Sequence, residues 1–280
     1  MFGSRLNRLS NGGVMLGACP SRMDSPSSYI TPQNFDSLTV IKGPQTVLWG
    51  PGASAATILF EREPENFTEL GGRVNASLLA GSAGRFDSAI DAATGSSQGY
   101  LRLLANHSTA NDYQDGNGDD VHSQWEKWSS DLMLGWTPTA DTLVELTVGT
   151  GDGEAAYAGR GMDGSKFERQ SLALRVAQEN LGEVLQRVEA SDHVMDNYTL
   201  RQPNPNDVMS NMRNPMATNV DRLTLGGRLA STWQWGAYEL VTGVDAQTNQ
   251  HRKRSGMGID TYRDASWVKD AEFSQYGVFG

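Results

Sequence analysis

The chain has 280 residues, a formal net charge of −10 and a single cysteine. Such an acidic chain lacks the basic face of a nucleic-acid-binding protein, so no nucleic-acid partner is expected. One cysteine excludes a disulfide scaffold, a CxxC redox site and a cysteine-rich zinc module. The sequence contains no run of about 18 apolar residues, so no transmembrane helix is predicted. Its opening segment, MFGSRLNRLSNGG, lacks the apolar segment of a signal peptide.

The first 67 residues differ in composition from the rest of the chain. They are rich in Gly, Pro and Ser and carry short apolar runs such as SLTVIKG and TVLWG. These runs are typical of brief strands joined by turns. We therefore predict a small compact domain before the first long strand.

From residue 68 onward the sequence alternates between apolar and polar positions. In RVNASLLA the side chains of Val74, Ala76 and Leu78 share one face, and Leu172 and Leu174 repeat this spacing further on. Period-two alternation predicts strands with one apolar and one polar face. We count about ten such strands up to the last residue.

The connections between these strands alternate in length. Short turns (TGSSQG, TPTADT, QENLGE and WQWGAY) alternate with long acidic links, of which one runs from Asp192 to Val220. This order is typical of an up-and-down barrel in an outer membrane, with short periplasmic turns and long outer loops. Trp136, Trp233 and Trp235 lie near strand ends, as in an interfacial aromatic girdle. A large soluble barrel or sandwich is the alternative.

The segment FDSLTVIKGPQTVLWGPGASAATILF, which ends at Phe60, resembles the plug signature of TonB-dependent outer-membrane receptors. Lys42–Gln45, Trp49–Gly50 and Gly52–Ala53 fill its [KR]GPQ, aromatic and GxGA positions. The resemblance implies that residues 1–67 are the C-terminal part of a mixed α/β plug domain. Residues 68–280 are then the first strands of an antiparallel all-β membrane barrel of about 22 strands.

Two further segments resemble the TonB-dependent copper receptors within that family. GACPSRMDSPSSYI carries a Cys-x-x-x-Met and DHVMDNYTLR a His-x-Met, the two motifs that bind copper in those receptors. The resemblance implies that Cys19, Met23, His193 and Met195 are the copper ligands. It also implies import into the periplasm, driven by the TonB–ExbB–ExbD complex of the inner membrane.

The chemistry of this ligand set agrees with copper. Thiolate and thioether sulfurs select Cu(I), whereas zinc sites contain more Cys or His residues than this set and rarely Met. His193 and Met195 are two residues apart, so in an extended segment their side chains point the same way. We expect both in the long outer loop, facing the plug. Met209, Met212 and Met216 in the same loop form a possible accessory thioether relay, with plastic packing as the alternative.

Other readings of the sequence remain open. A receptor for a ferric siderophore, haem or cobalamin is one alternative, and a soluble periplasmic copper electron-transfer protein is another. His107, His122 and His251 have no sulfur ligands nearby in sequence and are predicted to be solvated. No Ser/His/Asp set or carboxylate pair stands out, so we expect no enzyme.

The sequence also lacks a TonB box and the first half of a plug. With about ten strands in place of about 22, it is expected to be a fragment of a receptor.

Overall fold

The computed structural model describes residues 6–10, 13–15, 17–18, 26–43, 47–49, 55–158, 162–182, 185–203, 216–257 and 261–280. Strands dominate these residues. The helical elements within these ranges are three 3₁₀ turns, Pro26–Tyr29, Pro32–Asn34 and Thr261–Asp264. Within the described part of the chain, no helix is long and apolar enough to cross a membrane.

The N-terminal region forms a small mixed sheet in the order β2-β1-β4-β3. Its strands are β1 (Leu6–Ser10), β2 (Gly13–Val14), β3 (Ser37–Lys42) and β4 (Ala56–Glu61). β1 and β4 run parallel, whereas the other neighbours are antiparallel. Met15, Ile30 and Phe60 form its buried core. We call this region, together with the connecting residues up to Phe67, the plug.

Beyond the plug, most of the described residues form an antiparallel sheet of ten strands in the order β16-β15-β14-β13-β12-β11-β10-β7-β6-β5. These strands are β5 (Gly71–Ala80), β6 (Phe86–Ser96), β7 (Gly99–Ala110), β10 (Trp125–Thr139), β11 (Thr142–Ala155), β12 (Met162–Glu179), β13 (Leu185–Pro203), β14 (Met216–Trp235), β15 (Tyr238–Met257) and β16 (Val268–Phe279). A two-stranded hairpin, β8 (Tyr113–Gln114) with β9 (Asp120–Val121), decorates the connection between β7 and β10. We call the ten-stranded sheet the barrel wall.

The two faces of the barrel wall reverse the usual order of a soluble protein. Leucines such as Leu78 and Leu225 are exposed on the outer face, while Arg102, Asp131 and Arg222 are almost completely buried on the inner face against the plug. An apolar outer face and a polar interior are typical of an outer-membrane barrel. The predicted fold class, part of an antiparallel membrane barrel preceded by a mixed plug, is confirmed.

The connection between β13 and β14 is shorter than the sequence suggested. The predicted loop from Asp192 to Val220 is wrong at both ends, because β13 runs to Pro203 and β14 begins at Met216. β13 is paired along its length with β12 and β14. The backbone hydrogen bonds of β13 are therefore satisfied even where its sequence does not alternate between apolar and polar residues. Strand pairing thus continues beyond the part of the strand with an apolar face.

Candidate metal centre between plug and barrel wall

The predicted ligands fall in parts of the chain that the structure describes to different extents. Cys19, Met23, Met209 and Met212 lie outside the described residues. For His193, Met195 and Met216 the structure gives the backbone, with the first two inside β13 and the third at the start of β14. His193 and Met195 thus belong to a strand of the wall, and their predicted position in a loop is wrong.

The register fixes the neighbours of both positions in β13. Position 195 is opposite Thr224 of β14, which in turn is opposite Asn249 of β15. Position 193 is opposite Gly226 by the same pairing, and Gly226 is opposite Gln247. In an antiparallel pair, directly opposite residues belong to the same face of the sheet. Positions 193 and 195 therefore continue two rows of inner-face residues.

The inner face beside these rows is polar and closed to solvent. The Thr224 hydroxyl donates to Asn249 Oδ1 at 2.7 Å, and Gln247 Nε2 donates to the same oxygen at 3.3 Å. All three residues are buried. Asn249 Nδ2 is buried with no hydrogen-bond partner among the described residues. Burying a polar atom without a hydrogen-bond partner costs free energy, so the Asn249 amide nitrogen calls for an explanation.

Two donors from the barrel wall hold the plug immediately before Cys19. Arg222 Nη1 donates to the carbonyl oxygen of Gly17 at 2.9 Å. His251 Nδ1 lies 2.9 Å from the carbonyl oxygen of Ala18. Ala18 is fully buried and packs in a cluster with Tyr29, Phe167 and Val220. We call residues 17 and 18 with these two donors the carbonyl dock.

His251 was expected to be solvated, and this prediction is wrong. Its side chain is 8% exposed and contacts the plug rather than water. The signal was absent from the local sequence because Ala18, its partner, is 233 residues away. Arg222 and His251 are opposite each other across β14 and β15, one row beyond Thr224 and Asn249 toward the long connections.

A second contact holds the other side of the plug through buried charges. Asp131 of β10 lies 2.8 Å from both Arg62 of the plug and Arg169 of β12. Asn34 Nδ2 also donates to Asp131 at 3.1 Å. Asp36 is held in the same region by Arg102 of β7, at 2.8 Å. We call this set the charge anchor. Because each buried charge is paired, its burial is tolerated.

The loop between β7 and β10 carries two carboxylates whose pKa is lowered by hydrogen bonds from backbone amides. The amides of Ser123 and Gln124 donate to Asp112 at 2.7 and 2.8 Å and hold the pKa of that carboxyl below its usual value. The amides of Asn117 and Asp119 lower the pKa of Asp115 in the same way.

Among the described residues, no group of three or more His, Cys, Asp or Glu could hold a metal.

An apolar outer face, a charged inner face and a plug docked against it define a plugged outer-membrane barrel. No protein-family model matches the chain, and no curated protein matches it. Among solved structures, the copper transporter OprC is 57% identical over 99% of this chain and 45% of that chain, with a TM-score of 0.93. The chain thus spans less than half the length of that transporter, and over that part it is similar to a TonB-dependent receptor of the outer membrane.

More distant solved structures share the fold. The ferripyoverdine receptor of the outer membrane of Pseudomonas aeruginosa is 14% identical over 96% of this chain and 41% of that chain, with a TM-score of 0.61. The ferric citrate transporter FecA is 13% identical over 98% of this chain and 43% of that chain, with a TM-score of 0.66. At these identities the likeness concerns architecture alone.

Proposed function

We propose that the protein binds copper between plug and barrel wall and imports it across the outer membrane into the periplasm. The ligands in this proposal are Cys19 and Met23 of the plug with His193 and Met195 of β13. Met209, Met212 and Met216 are accessory thioethers. The plug is moved by the TonB–ExbB–ExbD complex. The protein captures and releases an ion and performs no catalysis.

One observation carries this proposal beyond the likeness to a copper transporter. The carbonyl dock fixes the residue before Cys19 on β14 and β15, next to the strand that contains His193 and Met195. Strands in a sheet are about 4.8 Å apart, so β13 and β15 are separated by about 10 Å. Side chains as long as Cys, Met and His, extending from the plug and from β13 on the inner face, can meet at one metal ion over a distance of this size.

The donor set favours the reduced ion. One thiolate, two thioethers and one imidazole form a soft site, and soft sulfur ligands select Cu(I) over zinc and over harder cations. We therefore propose Cu(I) as the bound state. Since two ligands belong to each side of the plug–wall interface, movement of the plug separates the ligands and releases the ion.

The test is copper content by mass spectrometry on the protein purified from outer membranes. We expect near-stoichiometric copper in the native protein and none in Cys19→Ala. Met195→Leu should weaken copper binding, whereas Met257→Leu is the matched control because Met257 is an exposed methionine at the end of β15.

Equal copper in native protein and Cys19→Ala, or no copper in either, would contradict the ligand assignment. Tight binding of an iron chelate by a copper-free protein would instead favour a siderophore receptor.

A further inference from the structure

The contact between His251 and the plug has a chemistry of its own. The imidazole of His251 lies under the backbone of Ala18, and both residues are buried. A carbonyl oxygen can only accept a hydrogen bond, so the proton of this contact belongs to Nδ1 of His251. The hydrogen bond therefore requires a donor at the position of His251 Nδ1. It does not depend on the side chain of residue 18, because the acceptor is a backbone oxygen.

The effect of this bond reaches the next residue along the chain. Consecutive Cα atoms are separated by about 3.8 Å across a trans peptide. Fixing the Ala18 carbonyl thus restricts the backbone from which the chain continues to Cys19. Arg222 fixes the preceding carbonyl from the neighbouring strand. Because two adjacent peptide groups are held from two strands, residues 17 and 18 have little freedom to rotate.

The register also relates His251 to the β13 ligand positions. Asn197, Arg222 and His251 form one row across β13, β14 and β15, and Met195, Thr224 and Asn249 form the next row. Rows on one face are two residues apart, which is about 6.8 Å along a strand. His251 therefore holds the plug one row away from Met195, on the side of the long connections.

We propose that His251 is a positioning residue for the copper site, which orients the Cys19-bearing segment through its hydrogen bond to the Ala18 carbonyl. This inference rests on the proposed function. Groups that orient metal ligands from outside the coordination shell typically change metal affinity by about 10- to 100-fold when they are removed. His251 sets copper affinity without touching the ion.

The test compares two replacements of His251 that differ in one property. In His251→Asn the amide Nδ2 takes nearly the place of the imidazole Nδ1 and can still donate to Ala18. In His251→Leu the volume is similar and the donor is lost. His107→Leu is the matched control, because His107 pairs with Glu126 at 3.0 Å in an exposed position of the wall.

Copper affinity is measured by competition with a chelator on protein purified from outer membranes. We expect His251→Asn and His107→Leu within about twofold of native affinity, and His251→Leu weaker by about 10- to 100-fold. Native affinity in His251→Leu would overturn the proposal. Equal loss in His251→Asn and His251→Leu would overturn it too, because the imidazole itself would then be needed.

A second measurement uses the copper-free protein. Cys19 is the single cysteine of the 280 residues, so its alkylation rate by a maleimide reports on this segment alone. We expect a faster rate in His251→Leu and a native rate in His251→Asn. An unchanged rate in His251→Leu would overturn the positioning role. Failure of the proposed function is distinct, since the native protein would then bind no copper or Cys19→Ala would bind it equally.

Discussion

The plug is held to the barrel wall in two regions that use different chemistry. The charge anchor joins side chains to side chains, with Asp131 between Arg62 and Arg169 in a site closed to water. The carbonyl dock joins Arg222 and His251 to backbone oxygens of the plug. In the first region both partners must be present, whereas in the second the plug contributes only its backbone.

This difference predicts unequal costs of disruption. Removing one member of a buried ion pair leaves an uncompensated charge, which is far more destabilising than the loss of a neutral hydrogen bond. The charge anchor should therefore dominate the stability of the docked plug. The His251 contact of the carbonyl dock should contribute less to stability and more to the geometry of the metal centre.

The largest effect is expected from Asp131→Asn. The substitution keeps the shape of the side chain but removes the carboxylate that pairs with both Arg62 and Arg169, at a cost of about 3–5 kcal/mol. The measurement is the midpoint of thermal unfolding, followed by the heat-dependent mobility of the barrel on gels. Susceptibility of the plug to protease should rise in parallel. A native midpoint would show that the anchor does not hold the plug.

A smaller effect is expected from Asp36→Asn. Arg102 would keep Asp91, at 2.9 Å, and Glu65, at 3.3 Å, and lose its charged hydrogen bonds to Asp36. The loss of a hydrogen bond to a charged group should cost about 1.5–3 kcal/mol.

The matched control for this substitution is Asp87→Asn, whose partner Arg85 is about half exposed. Exposed ion pairs contribute roughly 0–1 kcal/mol, so this midpoint should hardly move. Equal shifts in the two variants would mean that burial of Arg102 does not strengthen its pairing.

The smallest change in stability is expected from His251→Leu. It removes one buried hydrogen bond between the barrel wall and the plug, which should cost about 1–2 kcal/mol. The same unfolding assay on copper-free protein measures this cost. A loss as large as that of Asp131→Asn would show that the two regions do not differ in the way their chemistry indicates.

Much of the fold could be predicted from the sequence, because period-two alternation reports directly on which face of a strand meets lipid. The boundaries of β13 could not be predicted from the sequence. This strand is held by hydrogen bonds to β12 and β14 and therefore does not need alternating apolar residues along its whole length. Within the site, the role of His251 was hidden because its partner is distant in sequence. Asp131 was recognisable as a polar-face residue, but its pairing with Arg62 depends on how the plug docks.

The backbone acceptors of the carbonyl dock have a consequence for sequence variation. A substitution at position 17 or 18 cannot remove a backbone carbonyl oxygen. Changes of sequence at these positions therefore leave the acceptors for Arg222 and His251 in place. Size is the remaining constraint, because Ala18 is fully buried among Tyr29, Phe167 and Val220. The plug segment can therefore exchange residues of similar small volume, while the specificity of the contact is encoded in β14 and β15. Homologous receptors could diverge at the plug surface and still seat this segment in one place.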